Sequence, residues 1–227
     1  ATPPETHYPL AAEALARGHG VFVEKPLATT YQQAKQLEDL AKSKNLPLMV
    51  GHTFLHCPGI QMMERPVGQA DLYIRFLNPQ GGASPSSGLF WGALPHAVSL
   101  ALHFFPEWPR VVRVALTGER LQIELTYFNG SRAFLDVGNN TGARRRGVEL
   151  RVGDTRYCFD GVSPHSYCLV AGGHEAHAQG TTGEPLLLEC ETFLHSDSVD
   201  PLGAKVVGVI EVIKAELGDE GKPSGSQ

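Results

Sequence analysis

Two residues in this chain stand where a proton could be moved. Lys25 closes the apolar run Val21-Phe22-Val23-Glu24 and is followed at once by Pro26. If the run is a strand of an open parallel sheet, Lys25 lies beyond its carboxyl end, where such sheets bind ligands. A half-buried ammonium there has a lowered pKa and can donate to, or exchange a proton with, a substrate hydroxyl. Proline fixes the backbone beside it, and an X-Pro bond at such a corner can be cis. The same spacing also fits a surface lysine that opens a loop. His96 follows Pro95 within an apolar run over 90–105, where His96, Leu100 and His103 share one helical face. Facing a cleft, its imidazole suits proton transfer near neutral pH. Packed inward, it is a hydrogen-bonded core residue.

The other polar clusters point to less. His52, His56 and Cys57 are close in sequence, but Gly51 and Pro58 make that segment a bend rather than a helix with ligands one turn apart. His165, His174 and His177 are expected in a loop. The four cysteines are scattered and show no C-x-x-C spacing, so no metal site is expected. Cys190, in an apolar helical pattern, reads as a small core residue. Arg144-Arg145-Arg146 sits in a glycine-rich context and reads as a solvated turn, with contact to an anionic substrate group as the alternative.

The elements that must position these residues fall into two kinds. Over 5–51 the pattern is helix, strand, helix, strand. Thr6 is placed to cap a helix starting near Pro9, and Gly18 and Gly20 end it. Thr29 or Thr30 caps a second helix, which Asn45 stops. The strands at 21–24 and 46–50 are short, apolar and not alternating, as in a parallel sheet covered by helices. After residue 51 the pattern changes. Strand signals follow at 71–77, 111–117, 121–128, 132–137, 147–152 and 156–159, with Asn129-Gly130 as a hairpin turn. A Gly/Pro/Ser loop is expected over 79–88, and helices over 90–105, 185–195 and 202–217. The tail 218–227 is expected to be disordered. The fold class is therefore α/β: partial Rossmann-like parallel βα units over 1–54, then an α+β domain over 55–217 with a large, mostly antiparallel open sheet.

Bulk composition sets the outer bounds. With 227 residues, 42% of them hydrophobic, the chain can bury a real core. A net charge of −5 gives no clustered basic face, so no nucleic-acid partner is expected. No apolar run reaches the ~18 residues of a membrane span. Scattered thiols without a disulfide framework fit a reducing cytosol, and the expected localisation is cytoplasmic.

Three stretches together are more specific than any alone. A-T-P-P-E-T-H-Y-P-L-A, G-V-F-V-E-K-P-L-A-T-T and L-M-V-G-H-T-F resemble the Gfo/Idh/MocA family of NAD(P)-dependent sugar and cyclitol dehydrogenases. W-G-A-L-P-H (91–96) and E-P-L-L-L-E-C-E-T-F-L (184–194) resemble it more weakly. The resemblance implies hydride transfer between NAD or NADP and a hydroxyl of a sugar, nucleotide sugar or cyclitol. It implies that Lys25, in the frame Glu24-Lys25-Pro26, lies between nicotinamide ribose and substrate, with a cis bond to Pro26. It implies that His96 exchanges a proton with the substrate hydroxyl. Thr2, Pro3 and His7 would lie near the nicotinamide half of the cofactor, and His52, Phe54 and Trp91 would border the substrate. The second domain would form homo-oligomer contacts through its sheet.

Two departures accompany the resemblance. The family opens with a strand, a glycine-rich phosphate turn and a helix, and no G-x-G-x-x-G occurs in this sequence. That turn supplies backbone N–H donors to the pyrophosphate. The polypeptide is accordingly read as lacking the N-terminal half of the Rossmann domain and as binding NAD(P) poorly. The second departure is Gly92, where the family commonly carries Asp one helical turn before the histidine. Losing one member of a proton-handling pair costs roughly 10²–10⁴ in rate. The alternative function is a catalytically degenerate member acting as a binding or oligomerisation module.

Overall fold

The computed structural model describes residues 2–79, 89–140, 142–161, 166–171, 174–179 and 183–220. Its first part alternates helix and strand. After a 3-10 turn at Pro4–Thr6 come α1 (His7–Ala16), β1 (Val21–Glu24), α2 (Tyr31–Ser43) and β2 (Leu48–Gly51). β1 and β2 pair in parallel, with Val21 opposite Leu48 and Glu24 opposite Gly51. Thr30 is extended, and its hydroxyl accepts from the Gln33 N–H, satisfying one of the free donors that open α2. Asn45 ends that helix in the left-handed region at φ 53°. Thr6 behaves differently from expectation. It is already helical, and its hydroxyl donates to the Pro3 carbonyl at 2.7 Å instead of capping α1.

The second part is a wide sheet. A 3-10 turn (Thr53–His56) and α3 (Pro58–Gln61) lead to β3 (Asp71–Pro79), a π-helical turn (Leu89–Ala93) and α4 (Leu94–Phe104). Then follow β4 (Val111–Thr117), β5 (Arg120–Thr126), β6 (Arg132–Asn140), β7 (Arg145–Val152), β8 (Thr155–Asp160), β9 (Ser166–Ala171) and β10 (His174–Gln179). The strand order is β10-β9-β8-β7-β3-β6-β5-β4. Every pairing is antiparallel except β3 with β6. α5 (Pro185–Leu194) and α6 (Gly203–Glu220) close the described chain. This is the expected α/β class with a large, mostly antiparallel sheet.

Alternation decides which face of the sheet is buried. Leu72, Ile74 and Phe76 of β3, Leu121, Ile123 and Leu125 of β5, and Val148 and Leu150 of β7 all turn inward under α4 and α6. The first part has its own core of Leu15, Val23, Leu27, Leu37, Leu48 and Val50. α6 serves both cores: Ala204 and Val207 pack into the first, and Val206, Val209, Ile210 and Ile213 into the second. Each such fully buried aliphatic side chain contributes about 1.5–3 kcal/mol of transfer free energy. Gly208 lets α6 lie against Tyr31 and Trp108; a Cβ there would come within 2.6 Å of the indole.

Two carboxylates, the buried Glu38 and the half-buried Asp200, fasten the start of α6. Glu38 Oε1 accepts from the Ala204 N–H at 3.0 Å, while Lys35 Nζ holds Oε2 at 3.1 Å. Asp200 Oδ1 accepts from Leu202 N at 2.9 Å, and Oδ2 accepts from Val50 N on β2 at 3.3 Å. A helix N-terminus attracts negative charge, so both acids sit where the free N–H groups favour them.

Several expectations are corrected. Arg145 and Arg146 are not in a turn; they open β7. His174 and His177 lie in β10 rather than a loop. Cys190 is half-buried, not a core residue. Residues 218–220 are helical, at the end of α6, rather than part of a tail. The expected loop at 80–88, His165 and residues 221–227 lie outside the described residues.

Candidate active site

The end of β1 meets the start of α4. The Lys25–Pro26 peptide is cis. Lys25 Nζ donates to the Trp91 carbonyl at 2.9 Å and to the Gly92 carbonyl at 2.8 Å. Both carbonyls belong to the π-helical turn that precedes α4, and π insertions recur at functional sites. An ammonium carries three donors, so two are spent fixing its position and one is left for a ligand. Burial lowers the Lys25 pKa, with Glu24 opposing the shift.

His96 lies in the first turn of α4, one helical turn beyond Gly92. Its ring meets Phe54 edge-on at 5.1 Å between centroids and lies 6.3 Å from Phe76. Burial holds its pKa well below the ordinary imidazole value; the charges of Lys25, His52 and Arg146 add to that. The imidazole is therefore neutral at physiological pH and able to accept a proton. Its Nδ1 is buried with no hydrogen-bond partner among the described residues. Lys25 and His96 feel one another's charge, so the ammonium and the imidazole share one neighbourhood.

The remaining sequence candidates divide. Phe54 belongs to the cluster, as its contact with His96 shows. Trp91 gives its carbonyl to Lys25, but its indole is covered by Lys214 of α6, 3.8 Å from the ring centroid. His52 is buried, with neither ring nitrogen hydrogen-bonded among the described residues, and its pKa is pushed down to about 3 by burial, His56 and Lys25. His7 acts as a staple: Nδ1 lies 2.6 Å from the Pro26 carbonyl and Nε2 3.1 Å from the Thr2 carbonyl. Both ring nitrogens are turned to the chain's own backbone, so His7 ties the Thr2-Pro3 segment to the Glu24-Lys25-Pro26 turn rather than presenting a donor outward.

Arg146 is the residue that sequence reasoning placed wrongly. It sits opposite Phe76 in the β7–β3 register, and its guanidinium lies 5.6 Å from the Phe54 ring centroid. The signal was present: Arg146, Val148 and Leu150 alternate, so the arginine shares the inward face of two core residues. Glu189 of α5 was also missed. It is fully buried; Oε2 accepts from Thr53 Oγ1 at 2.8 Å, and burial raises its pKa to about 7. Only the tertiary contact of α5 with the 53–56 turn reveals it.

The residues fit the nicotinamide end of a dinucleotide better than its phosphates. A lysine fixed at a parallel strand's carboxyl end, beside a neutral imidazole, can position an alcohol. Among the described residues, however, no glycine-rich turn opens a helix: α1 follows Pro4-Glu5-Thr6 and α2 follows Thr29-Thr30.

Residues 1–52 match the model of an oxidoreductase family with an NAD-binding Rossmann fold. Over those residues the chain is similar to the Gfo/Idh/MocA oxidoreductases. It is 33% identical over 121 residues to the uncharacterized oxidoreductase YdgJ of Escherichia coli (strain K12), a match covering 46% of this chain and 34% of that one. It is 28% identical over 136 residues to levoglucosan dehydrogenase of Pseudarthrobacter phenanthrenivorans, covering 52% of this chain and 35% of the enzyme. These matches span only about a third of the curated relatives' length. Among solved structures, UDP-N-acetylglucosamine 3-dehydrogenase of Acidithiobacillus ferrooxidans superposes with a TM-score of 0.85 at 21% identity, over 95% of this chain and 76% of that one. Levoglucosan dehydrogenase in complex with NADH and levoglucosan gives 0.81 at 16% identity, over 97% and 77%. At those identities the structural likeness shows the shared fold. None of the helices among the described residues is long and apolar enough to cross a membrane.

Proposed function

We propose that the protein takes part in hydride transfer between NAD(P) and a hydroxyl of a sugar, nucleotide sugar or cyclitol. The observation that carries this reading is the pair formed by Lys25, held by two carbonyls of the turn before α4, and the neutral His96 on that helix. The third Lys25 donor binds the substrate hydroxyl oxygen and stabilises the negative charge that grows on it as its proton leaves. His96 accepts that proton. Phe54 and Phe76 wall the imidazole, and Arg146 behind them favours a substrate with an anionic group, such as a nucleotide sugar. A bound nicotinamide supplies the hydride acceptor; Glu24, Lys25 and Pro26, with the Thr2-Pro3 segment that His7 staples to them, would border it.

The compartment proposed is the cytoplasm, in keeping with four free cysteines. Self-association through the open sheet face is proposed as well. That face carries the stacked Tyr73–Phe134 pair and the forked Arg120–Asp136 and Arg132–Asp71 pairs, which suit a self-complementary contact.

Gly92 favours a second reading, a family member that binds but does not turn over, because no carboxylate stands one turn before His96. The test expresses the gene with whatever in-frame coding sequence precedes the Ala1 codon, alongside the chain itself, and titrates each with NADH by nicotinamide fluorescence. Sugar-dependent NAD(P) reduction is then measured. Lys25→Met is expected to lower turnover roughly 10²–10⁴-fold while leaving NADH affinity nearly unchanged. Absence of NADH binding in both forms overturns the proposal. Turnover that survives Lys25→Met removes the role given to the lysine. NADH binding without turnover of any sugar supports the second reading.

A further inference from the structure

We infer that the outer edge of the large sheet carries a site for a borderline-soft divalent cation such as Zn²⁺, formed by Cys168, Glu175 and His177 with the Cys158 thiol alongside. Sequence spacing hides this group, because its members are drawn from separate strands. The register brings them together. Cys168 on β9 is directly opposite His177 on β10 and directly opposite Cys158 on β8. Glu175 is two residues before His177 on the same strand, so its side chain leaves on the same face. Thiol, carboxylate and imidazole thus converge on one patch without help from any loop.

The distances match a metal's needs. One ligand atom from each of the three residues lies within 4.8 Å of the others. Cys168 Sγ is 3.0 Å from Glu175 Oε1, and His177 Nε2 is 3.2 Å from that same oxygen. A tetrahedral zinc with bonds of about 2.3 Å to sulfur and about 2.0–2.1 Å to nitrogen and oxygen has ligand-to-ligand edges of about 3.3–3.5 Å. The two contacts to Glu175 lie within a few tenths of an ångström of such edges, and Cys168 and His177, whose ligand atoms lie within 4.8 Å of one another, need only side-chain movement to close the third. The backbone is already fixed by ladder hydrogen bonds, so little ordering remains to be done on binding. Thiolate with imidazole and one carboxylate selects Zn²⁺ or Co²⁺ over Mg²⁺ or Ca²⁺, which prefer all-oxygen shells. Glu175 and His177 are exposed, which leaves an entry path and room for water at the fourth position. On binding, the Cys168 thiol that now donates to Glu175 releases its proton to solvent as the sulfur–metal bond forms.

This patch is separate from the Lys25–His96 neighbourhood. Phe159 packs into the core, so its neighbour Cys158 points from the opposite face of the sheet, whereas Arg146 and Phe54 lie on the helix-covered side.

The test titrates Co²⁺ into the reduced, intact chain and follows the thiolate-to-cobalt band in the near ultraviolet with the visible bands of tetrahedral cobalt. The expected result is saturation at one metal per chain and displacement by Zn²⁺. Cys168→Ser should abolish the thiolate band. His177→Ala should keep it but weaken affinity at least ~10-fold. Cys190→Ser, on α5, should change nothing. No thiolate band in the unmodified chain, or a band that persists in Cys168→Ser, overturns the assignment.

Discussion

Replacing Glu189 by glutamine should remove the part of the protein's pH-sensitive stability that is lost as pH rises toward neutrality. The carboxyl is fully buried between α5 and the 53–56 turn. One oxygen receives the Thr53 hydroxyl at 2.8 Å, and the other, Oε1, has no partner among the described residues. Burial raises its pKa from 4.5 to about 7, with Glu24 and Asp200 adding to the shift and Thr53 opposing it. A carboxyl whose folded pKa is raised stabilises the fold fully below the unfolded value and loses that contribution as pH rises through the folded one. The loss therefore runs from 4.5 to about 7 and levels off above. At about 1.4 kcal/mol per tenfold change, the span amounts to about 3 kcal/mol. Glutamine keeps the shape and the Thr53 contact and has no charge to acquire. Urea unfolding of both proteins from about pH 4 to about pH 8 measures it. The stability of Glu189→Gln minus that of the unmodified protein should rise by about 3 kcal/mol over that range and plateau near pH 7. Any constant offset from the substitution drops out, since only the pH dependence is compared. A difference that stays level across the range refutes the reasoning.

Acid should act in the opposite direction through histidines. Burial holds His52 at about 3 and His103 at about 4, so their contribution is present above 6.5 and lost as pH falls below it. In the Glu189→Gln background the unfolding free energy from urea titration should decline below pH 6.5, by up to about 1.4 kcal/mol per pH unit for each histidine; a stability constant down to about pH 5 contradicts this. Gly92→Asp should be accepted by the fold, because nothing lies within 4 Å of where its Cβ would stand. In a form that binds NADH it should raise turnover by roughly 10²-fold, read as steady-state kcat, and unchanged kcat counts against a proton-handling role for that position. Gly138→Ala should cost about 3 kcal/mol or more, seen as a lowered Tm. Its backbone has φ 141°, and a Cβ would meet the Glu119 carbonyl oxygen at 2.1 Å. A Tm within a degree or two of the unmodified protein would show that the β5–β6 corner can relax.

Much was legible in the residues alone, and for identifiable reasons. The short unbroken apolar runs at β1 and β2, and the alternation along β3 and β5, report burial on two faces or on one, which is local information. Thr30 and Asn45 mark the ends of α2 because capping and left-handed backbone depend on a single side chain. Lys25 was located by the rule that parallel strands present ligands at their carboxyl ends. What the sequence could not decide is what meets across long separations. The arginine triplet looked like a turn beside its glycines, yet β7 pairs with β3 and turns Arg146 toward Phe54 and His96. His174 and His177 looked like loop residues because β10 is a weakly patterned edge strand; register alone sets His177 opposite Cys168. Glu189 became a buried acid only because α5 folds back on the turn after β2. Residue types and spacing set most of the elements and the strand-end position of Lys25, while pairing register and helix docking chose its neighbours, since a strand's own residues do not say which distant strand it pairs with.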